Sequence, residues 1–275
     1  ATRCKVLNKL AKENNFSHIW LKDFPSSPTT KLALAWFALI FPFALFGSLI
    51  MWVFFRLRFG KATYYMLNLS DKILFGFWIK IFGGKAVCIE HATIGAWLSK
   101  NPFLRTYKWI LSSNRIKIVS VSRAMKYELE KTLMLPCHDI ANGIELERLS
   151  SVDTLDTDRD PNQILFVGRL EADKGFDKVM NIAKNNPNLN FVVFGSGSME
   201  SMAKGISNLK LKGFVDHKEL KKWYRKSQML LLPATKMDPF ALVVPEALNQ
   251  GCVVMCSNLV GASDYLNSDF VCDIN

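Results

Sequence analysis

The second half of the chain alternates short apolar segments with amphipathic ones, and this alternation limits the possible folds more than any other feature. Two of the apolar segments, residues 164–167 and 190–194, are each followed directly by a glycine. Short strands that alternate with helices predict a parallel, doubly wound α/β sheet, whose ligands bind beyond the carboxyl ends of the strands. Further strands are predicted at residues 209–213, 229–232 and 253–255, and helices at 176–185, 199–204, 217–225 and 245–250.

The first half follows the same rhythm less clearly. Its predicted strands cover residues 18–21, 62–67, 85–90 and 117–121, and its predicted helices 2–14, 71–82, 106–111 and 123–133. Ser122 is the expected N-cap of the last helix. Residues 151–162 are polar and have no apolar period. We therefore expect an N-terminal domain over residues 1–150, a linker over 151–162 and a C-terminal domain over 163–275.

Residues 32–55 contain no charged side chain and are flanked by Lys31, Arg56 and Arg58. A membrane-spanning helix needs roughly 20 apolar residues, so the segment is long enough to span. Pro42 and Gly47 also permit two shorter helices or an interfacial hairpin. The segment could span a bilayer, enter one leaflet, or form a buried core helix. Insertion into one leaflet is favoured, because the basic flanks suit acidic head groups.

Charge and cysteine usage narrow the partners. The 35 Lys and Arg exceed the 24 Asp and Glu, giving a net charge of +11. Such an excess suits an anionic partner, which can be a nucleic acid, an acidic lipid surface or a phosphorylated substrate, and the charge alone does not choose among them. Basic–aromatic stripes and known nucleic-acid modules are missing, so we expect no nucleic-acid partner. The six cysteines and four histidines are scattered. This pattern predicts buried free thiols, a reducing cytoplasm and no metal site.

Two loops at predicted strand ends carry phosphate-binding features. Arg169 and Lys174 follow a strand and lie just before a helix, where cations and a helix N-terminus can bind a diphosphate; a solvated basic loop is the alternative. Gly195 and Gly197 form a second turn. Glu200 occupies the place of the third glycine of the dinucleotide fingerprint, which disfavours NAD.

Carboxylates and a histidine complete the candidate set. Asp238 and Glu246 lie on a loop and at a helix start, and a carboxylate accepts two hydroxyl hydrogen bonds, so this pair can bind a ribose and a hexose. In the simpler alternative, Glu246 only stabilises a helix N-terminus. Glu90 and His91 follow a strand of the first half at the proposed cleft.

Together these residues resemble glycosyltransferase family four, the retaining group 1 glycosyltransferases. The resemblance covers nearly all of residues 163–275 and rests on five motifs in order. They are Gly168-Arg-Leu with Lys174-Gly, Phe194-Gly-Ser-Gly, Gly213-Phe-Val, Leu-Leu-Leu-Pro233 and Asp238 with Glu246-Ala and Gly251. The first half is similar more loosely, through residues 119–126 and 141–145. His91 lies where the family often has an active-site histidine.

The resemblance implies a GT-B fold, in which two Rossmann-like domains face each other across a cleft. It implies that Arg169 and Lys174 neutralise the donor diphosphate, that Glu246 binds the ribose and that Asp238 binds the transferred sugar. His91 and Asp238 are the implied catalytic residues. The remaining implied donor contacts come from the glycine turn, the base-side residues and the backbone amides of the acidic loop: Gly195, Gly197, Phe214, Val215, Phe240, Ala241 and Leu242.

The sequence also departs from the family pattern. Asp238 replaces the family's first glutamate, and Ala241 replaces a glycine, which puts the identity of the donor sugar in doubt. The opening strand is not visible before Ala1, and the closing strand and return helix are not visible before Asn275. We therefore expect a chain that is truncated at both ends.

The resemblance implies a metal-independent, retaining hexosyltransferase that needs no cofactor besides its nucleotide-diphosphate sugar. Its expected acceptor is a glycan or a polyprenyl- or other lipid-linked molecule, in cell-envelope, glycolipid or polysaccharide synthesis. Its expected place is the cytoplasmic face of a membrane, as a peripheral or monotopic protein. The alternative, motivated by Asp238 and Ala241, is a catalytically silent GT-B-like scaffold at a membrane.

Overall fold

The computed structural model describes residues 31–92, 103–144 and 159–274, excluding the side chains of residues 31–38 and 103. The predictions for residues 2–14 and 18–21 and most of the predicted linker lie outside these residues. Within them the chain forms two parallel sheets, of four and six strands, with helices between consecutive strands.

The first sheet has the strand order β1-β2-β3-β4. Its elements are α1 (Lys31–Phe59), β1 (Thr63–Met66), α2 (Leu69–Phe82), β2 (Lys85–Glu90), α3 (Phe103–Leu111), β3 (Ile116–Ser120), α4 (Arg123–Leu133) and β4 (His138–Asp139). The N-cap prediction for α4 is confirmed, because the Ser122 hydroxyl accepts a hydrogen bond from the Met125 amide at 3.1 Å. The core of this half includes Ile79, Ile110 and Met125, all fully buried.

The second sheet has the order β10-β9-β8-β5-β6-β7. Its main elements are β5 (Asp160–Val167), α5 (Phe176–Asn185), β6 (Asn190–Phe194), β7 (Leu209–Gly213), α6 (His217–Lys226), β8 (Ser227–Leu232), α7 (Val243–Asn249), β9 (Val253–Ser257) and β10 (Val271–Cys272). The chain builds outward from β5 through β6 to β7, then returns to β8 on the other side of β5. The carboxyl ends of β5 and β8 therefore flank a topological switch point, the usual ligand site of such sheets.

Helix α1 decides among the structures predicted for the apolar segment. It is one continuous helix that contains Pro42, so the prediction of two shorter helices is wrong. Residues Leu39–Phe59 are long and apolar enough to cross a membrane, but only 11% of their most apolar window is buried. The prediction of a buried core helix is therefore also wrong. The side of α1 that is covered packs on α2, where Trp78 Nε1 donates to Ser48 Oγ at 2.8 Å.

Other differences from the sequence predictions are local. β5 begins at Asp160, inside the predicted linker, because its polar first residues pair through the backbone, Asp160 with Ser227 of β8. The helix predicted at 199–204 is a 3-10 turn, Glu200–Ala203. The two-residue strands β4 and β10 were not predicted, since two residues carry no readable alternation.

Candidate donor site

The loop after β5 brings the two predicted phosphate-binding cations to the switch point. A 3-10 turn, Ala172–Lys174, ends at Gly175, whose φ of 72° leads directly into α5. A Cβ at Gly175 would lie 1.8 Å from the Pro233 carbonyl oxygen, so only glycine lets this loop pack against the segment that follows β8. Arg169 and Lys174 thus lie beside the N-terminus of α5, where the helix dipole favours an anion.

Both cations have a carboxylate partner. Lys174 Nζ lies 2.6 Å from Asp238 Oδ2, and these side chains are 24% and 20% exposed. The other oxygen of Asp238 accepts from the Phe240 amide at 3.3 Å. Arg169 forms the more exposed pair, 2.6 Å from Asp173. The cations are held in place but remain open to solvent, so an incoming diphosphate can replace or join their carboxylate partners.

The glycine turn after β6 packs tightly on the loop after β5 that contains Arg169 and Lys174, which we call the cation loop. A Cβ at Gly195 would lie 1.8 Å from the Gly168 carbonyl oxygen, and one at Gly197 would lie 2.5 Å from that of Leu170. Glu171 accepts hydrogen bonds from the Ser198 amide at 2.8 Å and hydroxyl at 2.6 Å. These hydrogen bonds lower the pKa of Glu171. The turn thus holds the cation loop through Glu171 and through close backbone packing.

Glu246 is the fourth residue of α7 and is faced by α6. Its Oε1 lies 3.9 Å from His217 Nδ1, and its side chain is 18% exposed. Burial raises the pKa of Glu246, while the charge of His217, the Tyr224 hydroxyl and the charge of Lys221 act in the opposite direction. A carboxylate with this much burial and few donors retains capacity to accept hydroxyl hydrogen bonds from a ribose.

The loop between Asp238 and Glu246 contains backbone strain. Ala241 has a φ of 57°, the left-handed conformation that favours glycine, which fits the expectation that a glycine is usual there. The Phe240 side chain is buried, so only its backbone can contact a donor, whereas Leu242 is 45% exposed. Phe214, after β7, is 90% exposed and free to lie against a base, and Val215 beside it is partly buried.

His91 lies apart from these loops, at the carboxyl end of β2 in the first half. Partial desolvation lowers its pKa, the Lys72 ammonium acts in the same direction, and Glu90 opposes both. Glu90 itself is buried and paired with Lys72 at 2.9 Å. Of the predicted pair, His91 is therefore the group that can reach a ligand.

Several residues of the site escaped the sequence predictions. Glu171, Asp173 and His217 contact the predicted residues directly, and Asp264 connects the two halves by accepting from the Ala124 amide at the start of α4, at 3.0 Å. Charged residues of this kind occur throughout the chain, so nothing in their spacing distinguishes them. Among the described residues, no group of His, Cys, Asp and Glu could hold a metal ion.

The residues that form this geometry match a known protein family. Residues 150–273 match the model of the family Glycosyl transferases group 1. The match covers most of the second half of the chain. It contains the cation loop, the glycine turn and both acidic residues described above.

Two curated proteins match parts of the chain. It is 28% identical over 126 residues to an uncharacterized 41.2 kDa protein in the cps region of Klebsiella pneumoniae, which covers 45% of this chain and 35% of that protein. It is 31% identical over 111 residues to a phosphatidyl-myo-inositol mannosyltransferase of Propionibacterium freudenreichii, covering 38% and 28%. The alignments thus span about a third of these relatives' length.

Solved structures are similar in fold to this chain. A glycosyltransferase from Rickettsia africae superposes with a TM-score of 0.67 at 15% identity, over 98% of this chain and 74% of that one. HepE of Anabaena, in complex with UDP-glucose, gives 0.61 at 16% identity, over 77% and 64%. The fold is that of the GT-B glycosyltransferases, as the sequence predicted.

Proposed function

We propose that the protein transfers a sugar from a nucleotide-diphosphate donor to a glycan or lipid-linked acceptor. The observation that carries the proposal is the ion pair of Lys174 and Asp238 at the switch point, beside the N-terminus of α5. Glycosyl transfer releases a nucleoside diphosphate, whose developing charge must be stabilised. Lys174, Arg169 and the helix N-terminus supply that stabilisation, so we propose a reaction that requires neither a metal ion nor a further cofactor.

The other donor contacts are proposed from the family resemblance. Glu246 binds the ribose hydroxyls, Phe214 and Val215 line the base, and Asp238 contacts the sugar from beside Lys174. The glycine turn at Gly195 and Gly197 and the amides around Ala241 and Leu242 complete the donor site. Retention of anomeric configuration is proposed from the family resemblance, with His91 on the acceptor side of the cleft.

A screen of nucleotide sugars tests the reaction. The full-length protein is incubated with UDP-, GDP- and ADP-linked hexoses and lipid-linked acceptors, and released nucleotide and product are quantified. Lys174→Ala and Glu246→Ala should each abolish transfer, whereas Lys184→Ala, an exposed change on α5, should not. Wild-type rates in the first two variants would refute the site. NMR of the product's anomeric carbon distinguishes retention from inversion.

The same screen separates the enzyme from a silent scaffold. Asp238 has both oxygens engaged by Lys174 and by the Phe240 amide, and Ala241 is in a strained conformation, so loss of turnover is a specific alternative. A scaffold would show donor binding, measured as a thermal shift, with no product from any acceptor. If these two residues alone make the protein silent, the double variant Asp238→Glu/Ala241→Gly, which restores the family residues, should regain turnover.

We further propose that α1 inserts in the plane of one leaflet, at the cytoplasmic face of a membrane. One face of α1 exposes large apolar side chains every three or four residues: Leu39, Phe43, Phe46, Ile50, Phe54 and Leu57. This stripe is about 27 Å long at 1.5 Å per residue. Such a face, ending in the basic residues Arg56, Arg58 and Lys61, is typical of an interfacial helix.

The opposite face of α1 argues against a perpendicular span. Ser48 and Trp52 are buried against α2, with Trp52 5.6 Å from Phe82 and Phe55 6.1 Å from Phe75 between ring centroids. A spanning helix needs about 20 residues clear of any water-exposed domain. Residues 45–55 of α1 are not clear, because the α/β domain covers one side of them.

Vesicle flotation tests this placement. The protein should float with vesicles of phosphatidylglycerol and phosphatidylcholine, and less with phosphatidylcholine alone. Phe43→Glu/Phe46→Glu should abolish flotation, and Met134→Glu, at an exposed apolar residue of the same half, should not. If the wild-type protein does not float and the double variant is less stable than the wild type, protein rather than lipid covers this face.

A further inference from the structure

A buried cluster of three polar side chains lies directly behind His91. Lys72 from α2 and Glu90 from the end of β2 form an ion pair at 2.9 Å, with side chains only 4% and 9% exposed. Tyr107 from α3, 1% exposed, donates its hydroxyl to the other Glu90 oxygen at 2.5 Å. Three separate elements of the first half thus converge on one carboxylate.

This cluster is costly for the fold. Moving an ion pair out of water removes hydration that its mutual attraction only partly replaces, so apolar residues of similar size are often at least as stabilising. The surrounding core could accommodate such residues, since Cys88 and Ile110 beside the cluster are fully buried. Both Glu90 oxygens are engaged and its charge is balanced by Lys72. Glu90 is therefore unsuited to act on a ligand itself.

The cluster includes the residue that precedes His91, which is exposed. We propose that Lys72, Glu90 and Tyr107 are positioning residues that fix the end of β2, and with it His91, and that the Lys72 charge in this cluster favours an uncharged His91 imidazole. The inference rests on the proposed function, in which His91 lies on the acceptor side. A neutral imidazole can both donate and accept a hydrogen bond, which an imidazolium cannot.

The charges around His91 agree with this role. Among the described residues, the ionised groups that bear on its imidazole are Lys72 from α2 and Glu90 from β2. Partial burial and the Lys72 charge both lower the His91 pKa, and Glu90 acts against them. Burial, followed by the Glu90 charge, raises the pKa of Tyr107 well above its ordinary value. Tyr107 thus stays a donor throughout the range in which an enzyme works.

The decisive experiment titrates His91 in the folded protein. Its imidazole, in ¹⁵N-histidine-labelled protein, is assigned by the loss of its signal in His91→Gln and followed by NMR against pH. We expect a pKa below the ordinary value of 6.5. The double variant Lys72→Met/Glu90→Gln, which leaves no unpaired charge, should raise it. A wild-type pKa at or above 6.5, or no change in the double variant, would overturn the proposal.

A second variant tests positioning where the first could perturb folding. Tyr107→Phe keeps the ion pair and the ring, and removes only the hydroxyl. We expect kcat to fall about tenfold, as misplacing a group at a reacting centre does, with the donor KM unchanged. Tyr65→Phe, at a 70% exposed tyrosine, is the matched control. An unchanged kcat, or an equal rise in KM, would contradict a positioning role.

These readouts separate this inference from the proposed function. If no nucleotide sugar is turned over but the His91 pKa is depressed and moves as expected, the cluster controls His91 and the reaction is wrong. If transfer is measured but the His91 pKa is ordinary and insensitive to Lys72, the reaction stands and the cluster is only structural.

Discussion

Each half of the molecule has an ion pair near the carboxyl end of its sheet, but the two pairs differ in how deeply they are buried. In the first half, the side chains of Lys72 and Glu90 are 4% and 9% exposed, and the Glu90 carboxylate also accepts a hydrogen bond from the buried Tyr107. In the second half, Lys174 and Asp238 are 24% and 20% exposed, and Arg169 is 62% exposed beside Asp173. A ligand can exchange with the second set and not with the first.

This difference in burial predicts different effects when one partner of each pair is removed. Water cannot reach a fully buried ion pair, so removing one partner leaves the other as an unpaired buried charge. A partly exposed pair contributes less to stability, and its partners can turn to a new ligand at smaller cost. Substitutions that affect folding and substitutions that affect binding should therefore fall in different halves.

The largest expected effect is on stability in the first half. Lys72→Met should lower the free energy of unfolding by about 3–5 kcal/mol, because it leaves the Glu90 charge buried without a partner. Lys117→Met, at an exposed residue of β3, should change it by no more than about 0.5 kcal/mol. Urea denaturation measures both. Equal effects of the two substitutions would remove the contrast between the halves.

The next effect is on binding in the second half. Lys174→Met should weaken donor binding about 10- to 100-fold, the loss of one charge-assisted hydrogen bond to phosphate. The free energy of unfolding should change by less than about 1 kcal/mol, because the pair with Asp238 is partly solvated. Calorimetric titration with the donor, beside Lys184→Met, checks this. A large loss of stability would place this pair with the buried one.

A smaller effect concerns Glu246 and pH. Because burial raises its folded pKa, Glu246 contributes stability that is fully present below its unfolded pKa and is lost as pH rises through the folded value. At pH 7 the ionised carboxylate is therefore a cost to the fold. Glu246→Gln should raise the free energy of unfolding by roughly 0.5–1 kcal/mol while weakening donor binding.

The pH dependence provides the check on Glu246. In the wild type, donor affinity should fall as pH decreases through the raised pKa, since the protonated carboxyl accepts fewer hydroxyl hydrogen bonds. Isothermal titration between pH 4 and pH 8 should show this slope, and Glu246→Gln should lack it. The same slope in both proteins would assign the titration to another group.

The smallest effect compares one strained residue in each half. Met134 at the end of α4 and Ala241 in the acidic loop have φ angles of 58° and 57°. Replacing either with glycine should stabilise the fold by about 0.5–1 kcal/mol, the relief of left-handed strain less the entropy of glycine. Only Ala241→Gly should also change the donor KM. A change in KM from Met134→Gly would show that the strain is not local to the site.

Sequence patterns predicted the strands well where tertiary structure and local pattern agree. The bounds of β2, β6, β7, α4 and α5 were predicted as the structure has them, because each combines a clear apolar period with a glycine or polar boundary. The Lys174 and Asp238 positions were also predicted, but not their mutual ion pair, since 64 residues separate them in the chain.

The remaining features depend on packing that a sequence does not display. The face of α1 that contacts α2 is as apolar as the face that is exposed, so no periodicity could tell a core helix from a surface one. Lys72 and Tyr107 look like ordinary helical residues, and only the fold brings them to Glu90. The roles given to the site residues remain predictions that the variants above will decide.

The close packing of the glycine positions restricts how this site could be redesigned. Because a side chain at Gly175 or Gly195 would collide with backbone rather than with a movable side chain, libraries that randomise these loops would yield mostly misfolded members. Exchange of donor preference is better sought at Phe214 and Leu242, which are exposed and can vary in size without disturbing their neighbours. Directed evolution should therefore keep Gly175 and Gly195 unchanged and vary Phe214 and Leu242.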